Sequence, residues 1–277
     1  MKYLTLLLLV FSIGCEKKTE TEKVPAVPEP TDTLTEPEES TEAATPQAVI
    51  PTTATPETTP TPITPEKPVG VLLLPGGATL LASLADRPMR TLKTNLEAAG
   101  YENVTIIDYP NNIKTNNRES IEDEAITLIR AAMDTTPGKY IVIGHSFGHY
   151  VAMAAVLRGQ LSDRVTHFIG LAGSARGSET APSGCVNLIT RRLTCTGLSG
   201  LIIGQDEYLV DSFIASNQSA FDSLNKCSIA IENDRTIVPA DSGFLTGGTN
   251  KSVDYSTHGN LPSHENTVQE LQDFCGI

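Results

Sequence analysis

The sequence predicts an α/β domain built on a mostly parallel, doubly wound sheet with helices on both faces. Three observations predict it. Short apolar runs of strand length recur at 69–74, 104–109, 140–144, 165–172 and 227–232. Stretches of helical spacing separate most of them. Turn residues such as Gly100 and Pro137-Gly138 punctuate the alternation.

The elements follow in order. "VGVLLL" (69–74) is an unbroken apolar run closed by Pro75-Gly76-Gly77, and it reads as a buried strand. Asp86 before Arg87-Pro88 predicts a helix start with proline in the first turn, running to Ala99 and stopping at Gly100. "VTIIDY" (104–109) is the second strand. Ser120 with Asp123 predicts a helix N-terminus, and Ile126, Ile129 and Met133 give that helix an apolar face. "YIVIG" (140–144) is a strand, "FGHYVAMAAVLRG" (147–159) a helix and "VTHFIGLA" (165–172) a strand. Residues 173–226 read as irregular. "CSIAIE" (227–232) is a further strand, and "ENTVQELQDF" (265–274) is a closing helix.

The net charge of −13 is spread over three unlike parts of the 277-residue chain. Residues 1–15, "MKYLTLLLLVFSIGC", have a charged start and an apolar run too short to span a bilayer, so they predict a secretion signal. Its end, Ser12-Ile13-Gly14-Cys15, resembles the lipobox of bacterial lipoproteins. That resemblance implies a mature N-terminus at Cys15 carrying acyl chains. Glu16 in place of aspartate implies an outer-membrane or surface anchor.

Residues 16–67 hold 10 of the 18 prolines, 11 acidic and 4 basic residues, and no aromatic residue. Such a segment cannot bury enough apolar surface to offset its ordering entropy, so a disordered linker is expected. Residues 68–277 then form one folded domain of 210 residues. Its 22 acidic and 15 basic residues argue against a nucleic-acid partner. Four cysteines follow Cys15, an even number in an exported protein, which suggests two disulfides.

Gly144-His145-Ser146-Phe147-Gly148 fits the G-x-S-x-G nucleophile elbow, with a strand before it and an apolar helix after it. A turn that tight strains its central residue and leaves no room for side chains on either flank. A serine hydroxyl needs a base to take its proton, and the base needs an acid to fix its tautomer. In elbow hydrolases the order is serine, acid, histidine. His258 and His264 are the histidines late enough in the chain. The acid is Asp234 or Asp206; Asp234 directly follows an apolar strand, where such sites lie, and is favoured.

From about Pro68 to the C-terminus the chain resembles the α/β-hydrolase lipases, above all the small secreted bacterial triacylglycerol lipases. "HFIGLAGSARGSETA" resembles their strand and loop after the nucleophile helix. "IIGQDEYLVDSFIASNQ" resembles a later wall segment, which places Asp206 on the substrate side. "ENDRTIVPADSG" resembles the acid loop and implies Asp234. "GGTNKSVDYSTHGNLPSHENTVQEL" resembles the histidine loop, where leucine follows the histidine by three residues; His258 with Leu261 fits, and His264 reads as an exposed helix-start residue. The resemblance also implies oxyanion donors at the N–H groups of Phe147 and Gly77. Two positions depart from it: Pro75-Gly76 replaces His-Gly, and His149 replaces a second glycine after the elbow. Cys185 and Cys195 resemble a pair found in some secreted relatives. Cys227 opens a strand and Cys275 ends the last helix, so a bond between them would pin the C-terminus.

The expected function is hydrolysis of carboxylic esters, as a lipase or carboxylesterase, through an acyl-enzyme on Ser146, Asp234 and His258. A thioesterase or acyltransferase on the same triad is the alternative, as is a non-catalytic surface-binding lipoprotein. No cofactor and no metal are expected, since the remaining histidines and carboxylates show no ligand spacing. The expected partners are an ester or lipid substrate and a membrane reached through the N-terminal anchor. The protein is expected to be a monomer.

Overall fold

The computed structural model describes residues 67–78, 82–181, 185, 192–203 and 210–277. The expected signal at 1–15 with Cys15, the expected linker up to residue 66, and Asp206 lie outside the described residues.

Strands β1 (Gly70–Leu74), β2 (Val104–Ile106), β3 (Tyr140–His145), β4 (Val165–Leu171), β5 (Lys226–Ile231) and β6 (Thr249–Val253) form one sheet in the order β2-β1-β3-β4-β5-β6. Every neighbouring pair is parallel. Helices α1 (Ala82–Ala98), α2 (Arg118–Thr135), α3 (Phe147–Arg158), α4 (Val210–Ser216), α5 (Gln218–Ser223) and α6 (Thr267–Asp273) connect or flank the strands.

Alternation along the strands sorts the core into two layers. Leu72, Leu74, Val142 and Phe168 face α2 and α3, which contribute Ile121, Ile129, Met133 and the apolar length of α3. Val71, Leu73, Ile141, Ile143 and Ile169 face the other way, toward Met89, Leu92 and Leu96 of α1 and Leu271 of α6. β1 and β3 are buried on both faces, as a central parallel sheet requires, which is why they read as continuous apolar runs. Helix α3 is buried from Phe147 to Leu157, wedged between sheet and α2. Glu122 of α2 sits at that junction, accepting hydrogen bonds from Arg118 Nη1 and Tyr150 Oη, each at 2.7 Å, and pairing with Arg158.

Several boundaries differ from the sequence reading. Helix α1 begins at Ala82, so Pro88 lies inside it. The preceding Ala-Ser-Leu-Ala run favours helix strongly enough to add a turn before the proline. The cap of α2 is Asn117, whose side chain accepts from the Ser120 N–H at 2.8 Å. β2 ends at Ile106, because the chain leaves the sheet after the bond from Ile107 N to Leu73 O. Its continuing apolar run packs Ile107 and Tyr109 under α2 instead. The stretch expected to be irregular contains α4 and α5. β6 was not expected: it is an edge strand in which only Val253 is buried, so it has no apolar signature.

Cys185 bonds Cys195, and Cys227 bonds Cys275, the two pairs expected from sequence. The second ties the start of β5 to the end of the chain across a sequence separation of 48. Loop entropy alone assigns such a bond about 4 kcal/mol. The Cys227→Ala/Cys275→Ala double variant should therefore lose about 3–4 kcal/mol of unfolding free energy in urea, and reductant, which also opens Cys185–Cys195, should cost the wild type at least as much. An unchanged urea midpoint in the double variant would show that this bond does not hold the fold.

Candidate active site

The chain passes from β1 out to β2 and returns to β3 on the other side of β1. The sheet therefore opens a crevice at the carboxyl ends of β1 and β3, the usual ligand position in such a sheet. Ser146 stands there, between β3 and α3. Its φ of 53° and ψ of −128° lie outside the ordinary regions for a residue with a side chain. Backbone of this kind costs about 1–3 kcal/mol and must be held by its surroundings.

Those surroundings explain both glycines. A Cβ on Gly144 would stand 2.5 Å from the His149 Cα, and one on Gly148 would stand 2.2 Å from the Pro75 carbonyl oxygen. Helix α3 therefore leaves the strand with no clearance against the end of β1. The Ser146 N–H donates to the Leu171 carbonyl at 3.0 Å, and the Ser146 carbonyl accepts from His149 N and Ser174 N.

His258 follows β6, and its Nε2 lies 2.8 Å from Ser146 Oγ. Its Nδ1 lies 2.7 Å from Asp234 Oδ2. Asp234 follows β5, and its Oδ1 accepts the N–H groups of Thr236 at 2.8 Å and Ile237 at 3.3 Å. Burial alone would raise the Asp234 carboxyl; the His258 hydrogen bond and charge, with those two N–H groups, outweigh it and hold it below the ordinary carboxylate range. A carboxylate can only accept, so it assigns the Nδ1 proton to His258 and leaves Nε2 as the acceptor facing the serine. Three residues far apart in sequence thus meet in one hydrogen-bonded line at three strand ends.

Gly76 and Gly77 follow β1 and line the same cavity. A Cβ on Gly77 would press on Phe147, so the two backbones lie side by side. Phe147 is the first residue of α3, where an N–H has no intrahelical partner. The Gly76 and Gly77 N–H groups meet no protein acceptor among the described residues. The cavity has a volume of about 290 Å³, and its apolar wall includes Ile113, Leu198, Leu201, Ile202 and Ile237. Cys195 directly precedes the turn Thr196–Leu198, so its disulfide anchors part of that wall. Ile202 opens the segment expected to form a wall, and Ile237 lies in the expected acid loop; the other wall residues carry no motif.

The remaining histidines divide sharply. His264, expected to be exposed, is half-buried, its ring tilted against Tyr255 with centroids 4.6 Å apart. His145 is buried, and its Nε2 donates to the His258 carbonyl at 2.8 Å, bracing the loop that carries His258. His149 lies directly behind the elbow; its ring fills the space that side chains on Gly170 and Gly173 would occupy. Sequence reasoning gave neither His145 nor His149 a role. Among the described residues no cluster of ligating side chains could hold a metal ion.

The sequence matches no protein-family model and no curated protein. Its fold matches solved lipases. The crystal structure of Bacillus licheniformis lipase BlEst2 in mature form superposes with a TM-score of 0.56 over 76% of this chain and 93% of that one, at 14% identity. That of Aspergillus fumigatus lipase B gives a TM-score of 0.50 at 16% identity over 68% of this chain. The match spans 44% of the length of the fungal lipase. The fold is that of the α/β-hydrolases.

Burial pushes both His145 and His149 down to about 3, and the neighbouring His258 lowers His145 further. In the unfolded chain both return to the ordinary value of 6.5. Between those values the unfolded state binds more protons, so stability should fall as pH drops from about 6.5 toward 3. Histidine ring NMR should show both imidazoles neutral down to pH of about 4, with the urea midpoint declining over the same window. Titration of either ring near its ordinary value would mean that it is solvated or paired.

Proposed function

We propose that this chain is a serine hydrolase that cleaves carboxylic esters, a lipase or carboxylesterase. The observation that carries the reading is the hydrogen-bonded line from Asp234 through His258 to Ser146 at a strained elbow. A line of that kind needs a tautomer, a nucleophile and an acceptor in register, which a merely structural turn does not.

The chemistry then runs in two steps. Ser146 Oγ attacks the ester carbonyl carbon while His258 Nε2 takes its proton. The tetrahedral oxyanion receives the Phe147 and Gly77 N–H groups. His258 returns the proton to the leaving alcohol, and an acyl-serine remains. Water enters, loses a proton to His258, attacks the acyl carbon and releases the acid. Asp234 holds the imidazole in place and stabilises its charged form throughout. The apolar wall formed by Ile113, Leu198 and Ile237 suits the acyl chain of an ester. Anchorage of the enzyme to a bacterial envelope through lipidated Cys15 belongs to the same proposal and rests on residues 12–15.

The full-length protein should hydrolyse p-nitrophenyl esters, and a fluorophosphonate should label Ser146. Ser146→Ala should lower kcat/KM by about 10⁴- to 10⁶-fold and abolish labelling, and Asp234→Asn should lower kcat by about 10⁴-fold. Retention of wild-type rates by Ser146→Ala would remove the elbow from the chemistry. The profile from acetate to palmitate separates esterase from lipase. For the anchor, a clickable palmitate analogue fed to expressing bacteria should label the wild type and leave Cys15→Ser unlabelled; equal labelling of both would exclude Cys15 as the lipid site.

A further inference from the structure

Oxyanion stabilisation depends on direction as much as on distance, so something must aim the N–H groups that follow β1. In a trans peptide unit the carbonyl and the next N–H point in opposite directions. The units Pro75–Gly76 and Gly76–Gly77 are both trans. Whatever grips the Pro75 carbonyl therefore aims the Gly76 N–H, and whatever grips the Gly76 carbonyl aims the Gly77 N–H.

Both grips are present, and both come from the segment that leaves the sheet after β2. The Tyr109 hydroxyl donates to the Pro75 carbonyl. Asn111 Nδ2 donates to the Gly76 carbonyl at 3.2 Å. Both side chains are buried, at 3% exposure each. The Asn111 amide has its own guide: Nδ2 also lies 3.3 Å from Asp86 Oδ1 on α1. A carboxylate accepts only, so Asp86 selects the amide orientation that presents nitrogen to Gly76. Backbone bonds fasten the same two segments one step further on, from Ala78 N to Asn111 O at 2.8 Å and from Ile113 N to Ala78 O at 3.0 Å.

We propose that Tyr109 and Asn111 are positioning residues that clamp two successive peptide units from behind, turning the Gly76 and Gly77 N–H groups into the cavity. The proposal rests on the hydrolase reading above. The clamp accounts for Pro75, where relatives of the resembled family carry histidine: the proline nitrogen has no proton to aim, and its carbonyl is the group that is held. A hydrogen bond accepted by a carbonyl also polarises its peptide unit, which makes the N–H at the other end a stronger donor. The clamp therefore acts on the transition state, where the oxyanion exists, and hardly on ground-state binding.

Two variants test it. Tyr109→Phe removes one oxygen, and Asn111→Leu replaces the amide by a side chain of the same branching that cannot donate. Each is compared with wild type for kcat and KM on a p-nitrophenyl ester, affinity for an alkyl trifluoromethyl ketone, fluorophosphonate labelling and Tm. The expected result is a fall in kcat of about 10- to 100-fold, an equal fall in trifluoromethyl ketone affinity, and a KM within about threefold of wild type. Wild-type kcat in both variants overturns the clamp while leaving the hydrolase reading intact. So does a fall in kcat with unchanged ketone affinity. A collapse of Tm, with KM rising as kcat falls, identifies the two residues as loop supports only and overturns the aiming role. A wild type that neither hydrolyses esters nor takes the fluorophosphonate overturns the hydrolase reading, and the clamp with it.

Discussion

The structure depends on the crossing of α3 past the end of β1. Gly148 meets the Pro75 carbonyl so closely that a single methyl group would stand 2.2 Å from its oxygen. This contact sets the angle at which α3 leaves β3 and so holds Ser146 in its strained conformation. It also presses the loop after β1 against Phe147, which brings the proposed oxyanion donors beside the proposed nucleophile. One absent side chain thus couples the nucleophile to the donors. The neighbouring helix and sheet supply the energy that holds the strain, through the fully buried length of α3.

Electrostatics around the elbow follow from the same tight packing. Water is excluded from His145 and His149, and both are held neutral well below their ordinary range. Asp234 is treated differently. It is buried too, yet three donors compensate it, so it stays charged and directs His258. Burial keeps two imidazoles uncharged, even though His145 bonds the His258 carbonyl, whereas three donors keep one buried carboxylate charged. His258 stands between them, its Nδ1 on Asp234 Oδ2 and its Nε2 on Ser146 Oγ. His145 contributes by geometry: its bond to the His258 carbonyl ties the His258 loop to the residue before the serine.

Much of this was legible in the sequence, because the features concerned are locally encoded. The strands buried on both faces announce themselves as apolar runs, and a tight turn around serine demands its glycines. Ser146, Asp234 and His258 could be nominated because each follows a recognisable strand or sits in a recognisable segment. The failures were of other kinds. β6 has one buried residue in five and so carries no periodic signal; its pairing with β5 defines it. Helix α1 ran past a proline that looked like its start. Tyr109 was read as the end of a strand, whereas it has left the sheet to hold the loop after β1. Asn111 had no signature, since its role exists only through a carbonyl 35 residues away in sequence. Long-range side-chain to backbone bonds cannot be read from spacing.

The division between framework and wall has a consequence for how such a site can change. Ser146, Asp234 and His258 hang from β3, β5 and β6, and Gly76 and Gly77 hang from β1, so their relative positions are set by the ladder of the sheet. Leu198, Leu201 and Ile202 belong instead to the segment after β4, whose described residues contribute no strand to the sheet and which is tied down by the Cys185–Cys195 bond. Substitutions in that wall alter the volume and shape available to a substrate without moving the hydrogen-bonded line. Substitutions at the carboxyl ends of the strands alter the line itself. Ile113 is the exception: its methyl group lies 2.9 Å from where a Gly77 Cβ would stand, and its carbonyl accepts from Gly197 N at 3.0 Å. It touches framework and wall at once, so a change of side chain there transmits a change in the pocket directly to the loop after β1.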